Sequence, residues 1–389
     1  MPEIRTGPAL EGDYDELMAM LDDVFFLEDH EEPKRGFLTL LPKLYKKEYR
    51  PWESNYCVWE DGAMVAAVGM YVSEVEVAGV PLRMGGIGNV AVARDSRRKG
   101  YMKAAMDEAM AAMKAAGCAF GELGGQRQRY QHWGFERGGA VARASISETN
   151  LRHAYGDNPL PEGWRAEEIK PEDTETIALA QALVESAAVH VRHDPAAFYD
   201  YLCSWQETPY AIWEGKALRG LFTLSREKKH VGQFFPLDPE YLEPALRAAF
   251  AVLPEDDSKS LGLAIPLWER ELLAKCEEIA EDVWCGDSGQ FVVFDWVKTL
   301  HALLLLQAKC KPLPEGELNV SIDNNVHLRI KVQSETPSVE IFDGKPELSL
   351  THMQAQRFFL AQTSTARDAH PLAQAWFPLP LFLWGIDKV

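Results

Sequence analysis

Apolar positions recur at helical intervals near the start of the chain. Between Tyr14 and Phe26, Leu17, Leu21 and Val24 are separated by three or four residues. This spacing places them on one face of a helix, because an α-helix turns once every 3.6 residues. The pattern therefore predicts an amphipathic helix over this segment.

Strand-like runs follow this helix, each bounded by turn residues. The runs Tyr56 to Glu60 and Met64 to Val72 flank Asp61-Gly62, a dipeptide typical of tight hairpin turns. A second hairpin is predicted from Glu74 to Val77 and Pro81 to Met84, around Ala78-Gly79. We therefore expect two hairpins in this part of the chain.

An apolar strand, a basic loop and a long helix come next. The apolar run Ile87 to Val92 precedes a loop rich in Arg and Lys, and a helix is predicted from about Gly100 to Ala116. Gly117 fits a helix C-terminus, and Ala119 to Leu123 reads as another short strand. Strands followed by a strand–helix–strand unit predict an α/β or α+β domain that ends near residue 150.

Two further regions are predicted beyond this first domain. The segment Tyr155 to Gly163 is dense in Pro, Gly and Asx and reads as a linker, and a helix is expected to start near Pro171. A third region begins near Phe291, with a helix, short strands, another helix and the apolar tail Trp376 to Ile386, which we expect to dock on the protein body or on a neighbour. The resulting division is 1–150, 151–290 and 291–389.

Length and composition bound the class of protein. A chain of 389 residues with 47% hydrophobic and 25% charged residues is ordinary globular protein with several domains. A formal charge of −19 disfavours nucleic acid and anionic membranes as partners and favours a cationic substrate such as an amine. The sequence shows no signal-peptide pattern and no apolar run of membrane-spanning length, so we expect a cytoplasmic protein.

The six cysteines suggest neither a disulfide framework nor a metal site. They are scattered along the chain without a CxxC pair and without a His or Cys partner at metal-ligand spacing. We therefore expect reduced, structural cysteines and no metal ion. Cys118 precedes a predicted strand, and nothing in the sequence requires it to be a nucleophile.

The basic loop carries the first chemical signal. It presents Arg97, Arg98 and Lys99 directly before Gly100, between a strand and a helix. A helix N-terminus and free backbone N–H groups suit a pyrophosphate, and the basic side chains would neutralise it. Glycine would let the backbone approach the phosphates without a Cβ atom. The alternative is a charged turn that is merely solvated.

Two motifs in sequence order make a family resemblance specific. The loop Arg97-Arg98-Lys99-Gly100-Tyr101-Met102, after the strand Val90-Ala91-Val92, resembles motif A of the GCN5-related N-acetyltransferases. The stretch Gly124 to Glu136, where Tyr130 precedes Trp133-Gly134-Phe135, resembles the end of the same domain. The spacing of the two motifs also matches that family.

The resemblance implies roles for these residues. Acetyl-CoA would lie between two splayed parallel strands, with its pantetheine arm on the backbone of Val90, Ala91 and Val92. The loop from Arg97 to Met102 would hold the pyrophosphate. Tyr130 would act as the general acid that protonates the leaving thiolate. An ordinary packed tyrosine is the alternative for that position.

The order of the three regions resembles the Eis-like branch of this family. Eis-like proteins have two tandem acetyltransferase folds and a domain similar to sterol carrier protein, and they form hexamers. By this resemblance, the middle region is a degenerate second copy, and the terminal carboxylate of Val389 is the base in the first domain. Glu122 and His132 remain side-chain alternatives for that base.

The leading hypothesis is an N-acetyltransferase that acts on a primary amine. The acceptor would be a small molecule, such as an aminoglycoside or a polyamine, or a lysine side chain, and transfer would occur by direct attack in a ternary complex. A catalytically silent acyl-CoA-binding or ligand-binding protein of the same fold is the second hypothesis. Lipid carriage by the third region is a further one.

Overall fold

The computed structural model describes residues 2–26, 36–225, 231–236, 238–254, 259–368 and 370–389. Strands and helices are mixed along these residues. The first group has the following bounds: Ile4–Pro8 (β1), Tyr14–Phe26 (α1), Phe37–Leu40 (α2), Pro42–Tyr45 (α3), Asn55–Glu60 (β2), Ala63–Val77 (β3), Val80–Val92 (β4), Tyr101–Ala115 (α4), Phe120–Leu123 (β5), Arg127–Tyr130 (α5), Glu136–Gly138 (β6), Val141–Ser147 (β7) and Glu148–Tyr155 (α6).

The middle part also mixes strands and helices. Its elements are Trp164–Glu168 (β8), Thr174–Glu185 (α7), Val189–Val191 (β9), Phe198–Leu202 (α8), Thr208–Glu214 (β10), Ala217–Leu224 (β11), Val231–Pro236 (β12), Leu242–Val252 (α9), Ser260–Pro266 (β13), Arg270–Ile279 (α10) and Asp282–Gly286 (β14). The final part contains Gly289–Val293 (β15), Trp296–Cys310 (α11), Gly316–Ile322 (β16), Val326–Gln333 (β17), Thr336–Ile341 (β18), Leu348–Leu350 (β19), His352–Leu360 (α12) and Pro371–Trp376 (α13).

The strands form mixed sheets flanked by helices, so the predicted α/β (α+β) class is confirmed. The first sheet has the order β1-β2-β3-β4-β5-β15-β6, and β9 pairs with β3 off this path. The others have the orders β12-β11-β10-β8, β13-β7-β14 and β18-β17-β16-β19. In the first sheet β4 runs parallel to β5, whereas β2, β3 and β4 are antiparallel neighbours.

Strand pairing crosses the domain boundaries that the sequence predicts near residues 150 and 290. Strand β7 lies before the first boundary but pairs with β13 and β14 of the middle part. Strand β15 spans the second boundary and inserts between β5 and β6 of the first sheet. The first sheet is therefore completed by residues that are far away in sequence.

Strands β3 and β4 form one long hairpin around Ala78-Gly79, where the sequence suggested separate, shorter runs. The glycine-rich stretch of β4 looks like a break but remains strand. A Cβ atom at Gly85 would lie 2.6 Å from Cγ of Met113, so only glycine lets α4 approach the sheet this closely. The same stretch contacts the end of the chain, as described below.

The apolar tail is docked, as the sequence predicts. Trp376, Leu379, Leu381 and Trp384 are buried in the core cluster that also contains α11 and α12. Leu381 accepts a hydrogen bond from the backbone N–H of Ala140 at 3.0 Å, which ties the tail to the first part of the chain. The tail thus runs through the protein body.

Candidate active site

Strands β4 and β5 diverge in the middle of the first sheet. Their pairing runs from Met84–Phe120 to Ile87–Leu123, after which β5 ends and β4 continues to Val92. A register shift between β3 and β4 falls at the same level, and Asn89 takes a left-handed conformation with a φ of 39°. Asparagine tolerates this region better than most residues. The divergence leaves the β5-facing edge of β4 open to a ligand backbone.

A cavity of about 760 Å³ opens at this divergence. Its walls combine the end of β4, the basic loop, the start of α4 and the segment around α5. It contains most of the predicted cofactor residues: Val90, Val92, Arg97, Arg98, Gly100, Tyr101 and Met102. A cavity of this size, with cationic side chains at one end, fits a phosphate-bearing ligand of drug-like volume.

Ala91 and Lys99 are placed differently from their neighbours. The Ala91 side chain is buried against α1 and Trp59, on the opposite side of β4 from Val90. Only the backbone of Ala91 can therefore contact a ligand in the cavity. The Lys99 ammonium lies 2.8 Å from Oε2 of Glu60, on the outside of the loop. Lys99 therefore contributes less charge to the cavity than Arg97 and Arg98.

Gly100 sits at the turn from the loop into α4. Its φ is 89°, a left-handed conformation that glycine adopts without steric cost. A Cβ atom built there would meet nothing within 4 Å, so the space above it is open. The first backbone N–H groups of α4 lie at this end of the cavity, where a helix attracts anions.

Tyr130 is the last residue of the short helix α5, beside the cavity wall but not among the residues that line the cavity. Its side chain is buried, whereas the adjacent Arg129 and His132 line the cavity. Burial raises the pKa of the Tyr130 phenol, although the neighbouring Arg129 opposes this shift. A higher pKa keeps the phenol protonated, which is the state required of a proton donor.

A buried carboxylate anchors the helix that carries Tyr130. Glu136 accepts hydrogen bonds from Arg127 of α5 and, at 2.6 Å, from Nε of Arg357 of α12. Burial alone would raise the pKa of Glu136, but the arginines and the backbone N–H of Arg137 lower it to about 2. The ion pairs thus fix α5 between the sheet and α12.

We expect Glu136→Gln to destabilise the protein by an amount on the order of 2 kcal/mol near pH 7. The folded-state pKa of Glu136 is depressed, so its contribution is complete above the unfolded-state pKa of about 4.3 and is lost as pH falls toward 2. Urea unfolding should show the full gap to wild type at pH 7 and pH 5 and a smaller gap at pH 4 and pH 3. Glu317→Gln, which removes an exposed partner of Arg329, should change little at any of these pH values.

The end of the chain reaches strand β4. A Cβ atom at Gly86 would lie 2.5 Å from Cγ2 of Val389, and one at Gly88 would lie 3.4 Å from the carboxyl carbon of Val389. The Val389 side chain also packs against the cluster that contains Tyr71. The structure therefore brings Val389 to the strand whose other end lines the cavity.

Of the side-chain alternatives for a base, Glu122 lies near Val389 and His132 does not share this position. Glu122 is buried and stands opposite Gly86 in the β4–β5 register. Burial raises the pKa of its carboxyl, while Lys388 and Lys43 act in the other direction. His132 is exposed and stacks edge-on against Trp133, with ring centroids 5.0 Å apart.

Lys43 is a buried charged residue that the sequence analysis did not single out. It belongs to α3, and its ammonium contacts backbone carbonyls of the tail. One lysine within the apolar run Leu40 to Tyr45 was the available signal. A single lysine in an apolar run is usually exposed to solvent, so the burial of Lys43 could be recognised only from the structure.

The cysteines and membrane-spanning potential add no competing site. All six cysteines are free, and burial raises the pKa of Cys118 to about 11, which disfavours the thiolate needed for nucleophilic attack. Across the described ranges, no cluster of His, Cys, Asp and Glu is placed to hold a metal ion. None of the helices described here is long and apolar enough to cross a bilayer.

The first part of the chain is similar to a known family of domains. A family model described as an acetyltransferase (GNAT) domain matches residues 5–137. This range contains β1 to β6, the basic loop and Tyr130. No curated protein matches the chain.

Solved structures share the fold over the full length of the chain. A GCN5-related N-acetyltransferase from Kribbella flavida has a TM-score of 0.68 at 14% identity, covering 100% of this chain and 99% of its own. One from Anabaena variabilis has a TM-score of 0.63 at 14% identity, covering 100% of both chains. Eis1 from Mycobacterium abscessus has a TM-score of 0.61 at 14% identity, covering 99% of this chain and 98% of its own.

Proposed function

We propose that the protein, whose residues 5–137 match the family model of an acetyltransferase (GNAT) domain, transfers an acetyl group from acetyl-CoA to a primary amine. The observation that carries this proposal is the arrangement along β4. Val90 and Val92 line the large cavity at one end, and Gly86 and Gly88 contact Val389 at the other. A donor site and a carboxyl group thus share one strand.

In the proposed reaction, Val389 and Tyr130 handle the protons. An ammonium acceptor must lose a proton before its nitrogen can attack, and the Val389 carboxylate accepts that proton directly or through water. The new bond forms between the amine nitrogen and the acetyl carbon as the carbon–sulfur bond breaks. Tyr130 donates its proton to the departing thiolate, and the second proton that the nitrogen loses as the amide forms restores the phenol through water. No acyl-enzyme is formed.

The carboxylate of Glu122 is the alternative proton acceptor. It is buried beside Gly86, and its raised pKa would suit a base that works near neutral pH. Lys388 and Lys43 lie close enough to stabilise its charged form. Replacement of Glu122 by Gln separates the two assignments, because it leaves Val389 in place.

The acceptor is proposed to be cationic, such as an aminoglycoside, a polyamine or a lysine side chain. The net charge of −19 favours the approach of such molecules. We further propose a cytoplasmic homo-oligomer, a hexamer by resemblance to the Eis-like branch. The same resemblance assigns residues 291–389 to a domain similar to sterol carrier protein.

The middle region is proposed to be a degenerate second copy that does not bind acetyl-CoA. Strand β12 leads through a loop into α9, in the order in which β4 leads into α4. The described part of that loop carries Asp238 and Glu240 and has no arginine or lysine, in contrast to the loop with Arg97 and Arg98 in the first copy. Two carboxylates there would repel a pyrophosphate.

Arg97→Ala and Arg98→Ala are each expected to weaken acetyl-CoA binding by about 10-fold, the lower end of what a charge-assisted hydrogen bond contributes. The loss should shrink at high salt, since both side chains are exposed. Isothermal titration with acetyl-CoA measures it. Lys99→Ala should cost less, because Lys99 pairs with Glu60. Arg165→Ala removes a distant exposed arginine and should leave affinity unchanged.

The activity itself is tested by thiol release from acetyl-CoA in the presence of a panel of primary amines. The panel contains an aminoglycoside, a polyamine and a lysine-containing peptide. A fully N-methylated polyamine is the matched control, because it keeps the cationic charge but has no transferable N–H. Release with the primary amine and none with the methylated analogue supports the proposal; equal rates would contradict it.

A further inference from the structure

The last residues of the chain are held by a buried lysine. The side chain of Lys43 is enclosed, with 4% of the residue exposed. Its ammonium donates hydrogen bonds to the carbonyl oxygens of Ile386 and Lys388, the latter at 2.7 Å. Burying a charge without such partners is costly, so the Lys43 ammonium stays hydrogen-bonded to the tail.

A second buried contact holds the same segment from the middle region. Nε2 of His193 lies 2.7 Å from Oδ1 of Asp387, and the two side chains are 0% and 1% exposed. The Tyr201 ring lies between the two anchors: the Lys43 ammonium is 5.0 Å from its centroid, and the His193 ring is 4.6 Å away. Side chains from the first part of the chain and from the middle region thus contact adjacent residues of the tail.

We propose that Lys43 and His193 are positioning residues that fix the segment Gly385–Val389 and so set where the Val389 carboxylate stands. This inference rests on the proposed role of Val389 as the base. Lys43 acts through the backbone on both sides of Asp387, and His193 acts through the Asp387 side chain. Neither residue is assigned contact with the substrate.

The segment needs such anchors because little regular structure restrains it. Gly385–Asp387 forms one 3₁₀ turn, followed by the bond from the Lys388 N–H to the Gly385 carbonyl. Fixing a residue costs backbone entropy, and a displacement of about 1 Å at a reacting group can cost about 10²-fold in rate. Buried side-chain contacts from separate parts of the chain supply the missing restraint.

Lys43 also contributes charge at this position. The ionisable groups that face it are Asp387 of the tail, Glu122 of β5 and the phenol of Tyr201. Burial lowers the pKa of Lys43 to about 8, against the opposing effect of the two carboxylates, so it is cationic at neutral pH. The Lys43 ammonium also contacts the carbonyl oxygen of Lys388, one residue before the terminal carboxylate. Because a nearby cation favours a carboxylate, loss of Lys43 should raise the pKa of the Val389 carboxylate.

The test compares Lys43→Met with Lys46→Met. Lys46 lies one residue beyond α3 and pairs with Asp200 at 2.7 Å, so its replacement removes a cation that also bridges to the middle region but does not touch the tail. Lys43→Met should lower kcat by about 10-fold or more with the KM for acetyl-CoA nearly unchanged. The acid limb of its pH profile should move to higher pH. Lys46→Met should show neither change.

Hydrogen exchange gives a readout that is independent of turnover. Peptides covering Trp384 to Val389 should exchange faster in Lys43→Met, by about 10-fold, while β4 peptides stay as in wild type. If Lys43→Met does not fold, His193→Ala and His193→Gln carry the test. Gln can still donate to Asp387 and should restore much of the kcat that Ala loses.

The possible failures are distinguishable. If removal of Lys388 and Val389 abolishes turnover, but the Lys43 and His193 variants keep wild-type kcat, pH profile and exchange, the positioning role is overturned and the base assignment stands. If that deletion leaves turnover intact, the base assignment falls, and the positioning role falls with it. Slow turnover together with faster tail exchange in the variants supports both.

Discussion

Deletion of Lys388 and Val389 is expected to lower kcat for amine acetylation by about 10²-fold or more, the range that a positioned general base contributes. The deletion removes the carboxyl group that lies against Gly86 and Gly88. The cavity around Arg97 and Arg98 is formed by other residues, so acetyl-CoA should bind with unchanged affinity. Thiol release and calorimetric titration measure the two quantities separately.

Two controls separate loss of the carboxylate from loss of the tail contacts. Lys388→Met removes the side chain that bonds to the Ser288 carbonyl at 2.9 Å but leaves Val389 in place, and it should cost far less. Extension of the chain by one glycine keeps a terminal carboxylate but moves it, and it should be nearly as damaging as deletion. Full turnover after deletion would redirect attention to Glu122, for which Glu122→Gln is then the deciding variant.

Tyr130→Phe is expected to reduce kcat by about 10²–10⁴-fold, because the leaving thiolate loses its proton donor. Phenylalanine keeps the ring that fills the space beside Gly125 and Trp133, so folding and acetyl-CoA affinity should persist. Burial raises the pKa of this phenol, so the donor form persists at higher pH than for an exposed tyrosine. Deprotonation of Tyr130 should therefore limit the wild-type rate only at a higher pH than deprotonation of an exposed tyrosine would.

The tyrosine variant also discriminates between the enzyme and a silent acyl-CoA-binding protein. In an enzyme, Tyr130→Phe separates catalysis from binding. In a silent binding protein, wild type and variant would bind acetyl-CoA alike and neither would turn over any amine. A Tyr130→Phe variant with the wild-type rate would remove Tyr130 from the mechanism.

The local elements were predictable because their signals are short in range. The helix Tyr14–Phe26 follows from its apolar stripe, with the same bounds in sequence and structure. The loop from Arg97 to Gly100 could be placed between a strand and a helix from residue types alone. These predictions depend on hydrophobic periodicity, on turn-forming residues and on the position of glycine, all of which act over a few residues.

The rest depends on contacts between distant residues. Gly85 and Gly86 resemble a loop in sequence, yet they remain strand because they pair with β3 and β5. Met113 and Val389 pack where side chains at these two positions would be. The insertion of β15 between β5 and β6 joins residues that are separated by more than 150 positions. No local pattern encodes such a pairing, and the burial of Lys43 under the tail arises in the same way.

The most direct test of acetyl transfer follows a labelled acetyl group from acetyl-CoA by mass spectrometry, with the intact protein and the amine that releases most thiol. We expect label on the amine nitrogen, in an amount equal to the thiol released. Label recovered as free acetate, or retained on acetyl-CoA that stays bound through the incubation, would contradict acetyl transfer to the amine.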